Sequence, residues 1–248
     1  MKTTIMFYVL ILAAVSTFLS GQNASAQSSD KPALKVLVTY GGHAFEEKEF
    51  REMFDAMQGI EYEMVELPKA FEMIKPGLEE KYDAIVMYDM ITGIPKEQLE
   101  AFDKLLKENG IGLVSWHHNL AAHREWPKYR DIIGGAYVFE EYERDGVRYG
   151  PSIYNHWDST EFTIADPNHP ITKGLPNFKI ENGGETYGEC YIAKNIKVLL
   201  TTNQEKTVPQ QLWVKRYGKS RVVHFMPGHG KEAFGEPTFR ELLRRSII

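Results

Sequence analysis

The chain has 248 residues, 43% hydrophobic, 25% charged and 12% aromatic, which is a globular composition with enough apolar mass for one well-buried core. Its formal net charge of −5 excludes a general affinity for nucleic acid, which needs clustered Lys and Arg to displace phosphate counterions. With Cys190 as the only cysteine, an intramolecular disulfide is excluded and the core alone must stabilise the fold.

Along the chain, Lys2 supplies a positive charge, Ile5 to Leu19 is almost wholly apolar, and Ala24-Ser25-Ala26 is a small-x-small cleavage site. This pattern predicts an export signal over residues 1–26, and hence a periplasmic or extracellular protein. The apolar run is short for a membrane span, so no stable insertion is expected after cleavage. Residues 27–33 read as a polar linker and 34–248 as one domain. Lys35 to Tyr40 is a β-branched run expected to form a buried strand, and Glu47 to Met57 has helical periodicity through Phe50, Phe54 and Met57. Tyr62–Leu67, Asp83–Tyr88 and Ile111–Trp116 are further strand candidates. A helix opens at Pro95, buries Leu99, Phe102, Leu105 and Leu106, and stops before Gly110. Strands alternating with helices imply βαβ units and a mainly parallel central sheet covered on both faces. Residues 134–195, rich in Gly, Tyr, Asn and Pro, read as a loop-rich insertion over the sheet's C-terminal edge, with short strand candidates such as Glu161–Ala165. Lys197–Thr201 restores regularity. Gln211–Arg216 and Arg221–Phe225 flank a hairpin turn at Tyr217-Gly218-Lys219-Ser220, and a short helix runs from Pro237.

Ligands of open α/β sheets bind beyond the carboxyl ends of the strands. Three loops there carry histidine beside glycine or another turn residue: Gly41-Gly42-His43-Ala44-Phe45-Glu46, His117-His118-Asn119 and Pro227-Gly228-His229-Gly230. No phosphate-binding glycine motif, H-E-x-x-H or G-x-S-x-G is present, so a nucleotide cofactor is not expected. His43, His118, Glu185 and His229 are the candidate catalytic residues, because imidazole exchanges protons near neutral pH. The same His43, His118 and His229 could instead hold a divalent metal such as zinc, assembled from distant loops because no local pair has a diagnostic spacing. Gly42, Phe45, His117, Tyr154, His156, Trp157 and Tyr187 are candidate ligand-binding residues, the aromatic ones as faces for sugar rings. Cys190 reads as a small buried hydrophobe, His169 as a turn residue, and His224 as a structural histidine inside a strand.

The GGHAFEE loop, the G-x-G-L-V-x-x-H run from Gly110 to His117, HPITKGLPNFKI, GGETYGE, the W-x-x-x-Y-G-K-x-R-V run from Trp213 to Val222 and the PGH triplet at Pro227 together resemble the trehalose-utilisation (ThuA-like) family, over about residues 34–248. The resemblance implies a flavodoxin-like three-layer sandwich similar to class I glutamine amidotransferases. In those enzymes a cysteine sits on the turn after a central strand. Here the turn reads Ser115-Trp116-His117-His118, so cysteine-dependent chemistry is not expected. The resemblance also implies a small carbohydrate ligand and links to disaccharide catabolism and 3-keto sugars. Three readings follow: isomerisation or elimination of a glycoside or keto-glycoside by histidine acid/base chemistry, a non-catalytic carbohydrate-binding module, or conventional glycoside hydrolysis. Hydrolysis would draw two carboxylates from Glu46, Asp89 and Glu185. A homo-oligomer is compatible with each.

Overall fold

The computed structural model describes residues 32–248. The expected export signal and most of the linker lie outside the described residues. Strand β1 (Leu34–Gly41) leads through helix α1 (Glu47–Asp55) to strand β2 (Ile60–Glu66). Strand β3 (Ala84–Asp89), helix α2 (Lys96–Lys104), strand β4 (Gly112–Trp116) and helix α3 (Lys128–Ile133) follow. Three short strands, β5 (Gly135–Ala136), β6 (Tyr142–Arg144) and β7 (Val147–Tyr149), precede two long ones, β8 (Ile153–Ile164) and β9 (Phe178–Gly188). The chain closes with β10 (Tyr191–Ile192), β11 (Lys197–Thr201), β12 (Gln210–Tyr217), β13 (Ser220–Phe225), α4 (Lys231–Gly235) and α5 (Pro237–Ile247).

Nine strands form one sheet in the order β2-β1-β3-β4-β13-β12-β11-β8-β9. The first five pair in parallel and the rest are added antiparallel. The parallel part has the doubly wound order of flavodoxin-like folds. Its winding reverses between β1 and β3, the switch point where ligand crevices open. Alternation along each strand sends side chains to two separate cores. Val36 and Val38 of β1 join Phe50 and Phe54 of α1, Phe234 of α4 and Phe239 of α5, whereas Leu37 joins Phe71, Leu99, Phe102 and Leu105 on the opposite face. Two apolar layers around one sheet give the three-layer sandwich that the sequence implied. The continuous apolar run of β3 is fully buried for the same reason: helices cover it on both sides. Helix α2 continues as one wide π-type turn over Leu105–Asn109, and Gly110 then leaves the helix at φ +88°. The hairpin turn lies where expected, with Tyr217 paired to Ser220. No helix among the described residues is long and apolar enough to cross a membrane.

Residues 134–195 hold more regular structure than their composition suggests. β8 and β9, of 12 and 11 residues, pair antiparallel from Ile153↔Gly188 to Phe162↔Phe178, with a register shift between Trp157 and Ser159. The ribbon roots in the core where Phe162 and Phe178 stack at 4.9 Å. At its other end β8 is partly exposed on both faces, so its sequence there lacks the apolar alternation that marks a half-buried strand, while residues 184–188 of β9 are buried.

Candidate functional site

Each histidine-bearing loop is shaped by backbone constraints. Gly42 has φ +75°, and a Cβ there would sit 2.5 Å from the Met90 carbonyl oxygen, so only glycine lets the β1 loop pass this close to the β3 loop. A Cβ on Gly228 would lie 2.6 Å from Cγ of His117, so its absence lets the β13 loop settle on that ring. The Trp116 indole donates to the Pro227 carbonyl at 2.8 Å and fastens the ends of β4 and β13 together. His117 and His229 both have positive φ, 53° and 61°, a conformation costly for a residue with a Cβ and concentrated at functional turns.

These loops bring four imidazoles into contact. His43 stacks on His118 at 4.7 Å between ring centroids and meets His229 edge-on at 5.2 Å, while His117 lies 5.6 Å from His229. Across from them, β8 and β9 present cross-strand pairs on one face, Tyr154 opposite Tyr187 and His156 opposite Glu185. Together His43, His118, His229, Tyr154, His156, Glu185 and Tyr187 line a cavity of about 430 Å³ with Met90, Ala121, Tyr137 and Phe139. That volume falls in the range of small-molecule sites.

Glu185 is the hub, only 8% exposed. Its oxygens lie 3.4 Å from His117 Nε2, 3.4 Å from His156 Nε2 and 3.8 Å from His229 Nδ1. Burial acts to raise its pKa, but the hydrogen bond and charge of His117, with help from Tyr187 and His229, outweigh it and hold the carboxyl at about 2. Glu185 is therefore a carboxylate at neutral pH. Burial, reinforced by His117, His43 and His229, holds the His118 imidazole well below its ordinary pKa. Burial and His117 lower His229 as well, against the opposing pull of Glu185. His118 is 3% exposed and leans on the Tyr88 ring at 4.3 Å, yet neither of its ring nitrogens has a hydrogen-bond partner.

Several expected residues sit elsewhere. His117 lies fully buried beneath the cavity. Its Nδ1 is 2.9 Å from the Met226 carbonyl, and its Nε2 lies 3.1 Å from the Tyr187 hydroxyl. It positions Tyr187 and Glu185 and does not line the cavity. Phe45 packs against Tyr40, Phe50 and Tyr88 in the core, because the loop turns its apolar ring inward. Gly42 contributes space at the loop crossing and no wall. Trp157 falls on the face of β8 opposite His156, since neighbours on a strand point opposite ways, and its indole donates to Thr186 Oγ1 at 2.9 Å. A stacking platform of Tyr154, Trp157 and Tyr187 is therefore not formed. Of the carboxylates considered for hydrolysis, Asp89 is fully buried below the site, accepting from Thr39 Oγ1 at 2.8 Å and Asn119 Nδ2 at 3.1 Å. Burial raises its pKa to about 7 despite those bonds. His224 is buried, bonded to Ser115 and stacked on Trp213, and Cys190 is buried with its thiol pushed up to about 12.

Tyr137, Phe139, Met90 and Ala121 were not foreseen as cavity residues. The one sequence signal for Phe139 was its place in a glycine- and tyrosine-rich stretch; in the structure its ring is 42% exposed.

Fold and site together define a flavodoxin-like α/β protein whose histidine-rich cavity opens at the switch point of its sheet. Residues 35–248 match the family model described as ThuA, trehalose utilisation, and the chain belongs to that family. No curated protein matches it. Among solved structures it is similar to a ThuA-like protein from Parabacteroides merdae, at 21% identity and a TM-score of 0.68 over 88% of this chain and 89% of that one. A ThuA-like protein from Bacteroides uniformis is similar at 21% identity and a TM-score of 0.64, over 90% and 93% of the two chains. Part of a β-galactosidase from Bacillus circulans, 29% of its length, matches 81% of this chain at 12% identity and a TM-score of 0.52. At these identities the likeness is one of fold.

Proposed function

We propose that this protein is an exported enzyme that processes a glycoside or 3-keto-glycoside by proton transfer, through isomerisation or elimination. The observation that carries this reading is the convergence of His43, His118, His229, His156 and the ionised Glu185 on one aromatic-walled cavity. The export signal expected in residues 1–26 supports the location, and membership of a family described by trehalose utilisation supports a sugar ligand.

A keto group acidifies the C–H bond beside it. Glu185 orients His156, whose ring accepts that proton. The electron pair left behind moves into an enolate. In elimination it then forms the C=C bond as the glycosidic C–O bond breaks, and the departing alkoxide takes up a proton. In isomerisation the hydroxyl on the deprotonated carbon passes its proton to the enolate oxygen, and the abstracted proton returns to the former carbonyl carbon, so the ketone moves one carbon along. The His43–His118–His229 cluster faces the oxygen that gains charge.

The test is to incubate the protein with 3-keto-glucosides, 3-keto-trehalose and their unoxidised parents, in light and heavy water, and follow products by NMR. Turnover of the keto substrates alone, with deuterium entering beside the ketone, is the expected result. Hydrolysis of the parents would overturn it in favour of a glycosidase, and binding of either without turnover in favour of a binding module.

A further inference from the structure

We infer that His43, His118 and His229 form a binding site for one divalent transition metal, with zinc the best match, and that the ion's remaining position opens onto the cavity. The inference rests on reading this cavity as a reaction site, and it names what polarises the substrate oxygen there.

Three independent features point to an ion. The first is spacing: one nitrogen from each ring lies within 4.8 Å of the others. A tetrahedral zinc with Zn–N bonds of about 2.0–2.1 Å needs nitrogens about 3.3 Å apart. The rings must therefore close by roughly 1.5 Å at most, a movement open to His43 on its partly exposed loop. The second is the state of His118. Burying an imidazole with neither nitrogen in a well-formed hydrogen bond is costly, and only the Tyr88 backbone comes near. A metal–nitrogen bond would offset that cost. The third is the support of His43. Its Nδ1 lies 2.7 Å from the Ala44 carbonyl, so that nitrogen carries the proton and Nε2 keeps its lone pair. This is the outer contact that metal-ligating histidines make.

A rival group of His117, Glu185 and His229 has similar spacing. It is the weaker choice, because the nitrogens of His117 already serve the Met226 carbonyl and the Tyr187 hydroxyl. His123 is a useful contrast. It too is buried with both nitrogens unpartnered, but it belongs to neither ligand group among the described residues. Three imidazoles with a fourth position open suit zinc in a catalytic setting, and thiolate-seeking ions find no cysteine among the cavity residues.

The test measures metal without substrate. The full chain, purified without chelators, is analysed for metals; the stripped protein is then titrated with cobalt(II) and zinc. We expect about one equivalent of metal per chain, visible cobalt d–d bands of a tetrahedral site, and a rise in melting temperature on adding zinc. His43→Gln, at a partly exposed position, and His118→Gln should each cut bound metal to below about a tenth of an equivalent. His169→Gln should leave it unchanged. Wild-type protein that is folded yet holds less than about a tenth of an equivalent, with no cobalt bands and no thermal shift, overturns the inference. So does metal retention in both His43→Gln and His118→Gln. Turnover of keto sugars by stripped protein would sink the metal alone, whereas bound metal with no turnover would sink the proposed reaction alone.

Discussion

The cavity has two walls of different origin. One is the rim of the parallel strands, where His43, His118 and His229 leave β1, β4 and β13 on tight turns fixed by Gly42, Gly228 and the Trp116–Pro227 hydrogen bond. The other is the antiparallel ribbon, which supplies Tyr154 and His156 from alternate positions of the half-exposed β8 and Glu185 and Tyr187 from alternate positions of the buried end of β9. The rim is welded to both cores, so its geometry is set by packing. The ribbon is rooted at its Phe162–Phe178 end and again along β9, where Glu185 and Tyr187 are buried and Tyr187 joins a core, so only its exposed β8 residues Tyr154 and His156 carry little of the fold. Chemistry and stability are thus coupled along the rim and β9 and separable on β8.

The sharpest way to break this comparison is Glu185→Gln. It keeps the shape but removes the charge that orients His156 and His229. It should lower kcat/KM on the active substrate by about 10² to 10⁴-fold, with the protein still folded. Loss of folding would mean that Glu185 serves the fold and not the chemistry. On the rim the order reverses. Trp116 is fully buried, stacked on Phe50 at 5.2 Å and tilted on Tyr88 at 4.4 Å. Trp116→Ala should cost about 3–5 kcal/mol in denaturant unfolding and carry activity down with it.

A third prediction probes the layer under the rim. The Asp89 pKa of about 7 lies above the value near 3.9 of an unfolded chain. The native state therefore keeps its proton where the unfolded state has lost it, and stability falls as pH rises from about 4 to 7. The contribution is at most about 4 kcal/mol. Unfolding midpoints measured across that window should slope downward in the wild type and more weakly in Asp89→Asn. Identical slopes would show that Asp89 is ionised throughout. The smallest effect is expected at Tyr154, which is 63% exposed at the ribbon's tip. Tyr154→Ala should raise KM by up to about 10-fold with kcat nearly unchanged, and its stability should stay within about 0.5 kcal/mol of wild type.

The two walls also differ in how far the sequence discloses them. The rim was legible because its signals are local: apolar β-branched runs mark β1, β3, β4 and β13, and a Gly-His pair follows two of them. His117 and His118 show the limit. Adjacent in the chain, one lines the cavity and the other lies beneath it, which depends on the positive φ at His117. The ribbon was hidden because its strands, parted by residues 165–177, lack a regular apolar alternation at the site end. Placing His156 beside Glu185 required knowing that Trp157 pairs with Gly184. The buried bonds of Asp89 to Thr39 and Asn119 likewise join three segments that only the sheet brings together.

The register shift after Trp157 has a consequence for how such a pocket can change. On a strand, one inserted or deleted residue exchanges inward and outward side chains together. Losing a single residue just before Tyr154 would turn Asn155 and Trp157 toward the ligand in place of Tyr154 and His156, while the irregularity at 157–159 absorbs the slip before it reaches Phe162. A one-codon event could thus re-line half of the binding surface and leave the imidazole rim untouched, so relatives that share the rim need not share a ligand.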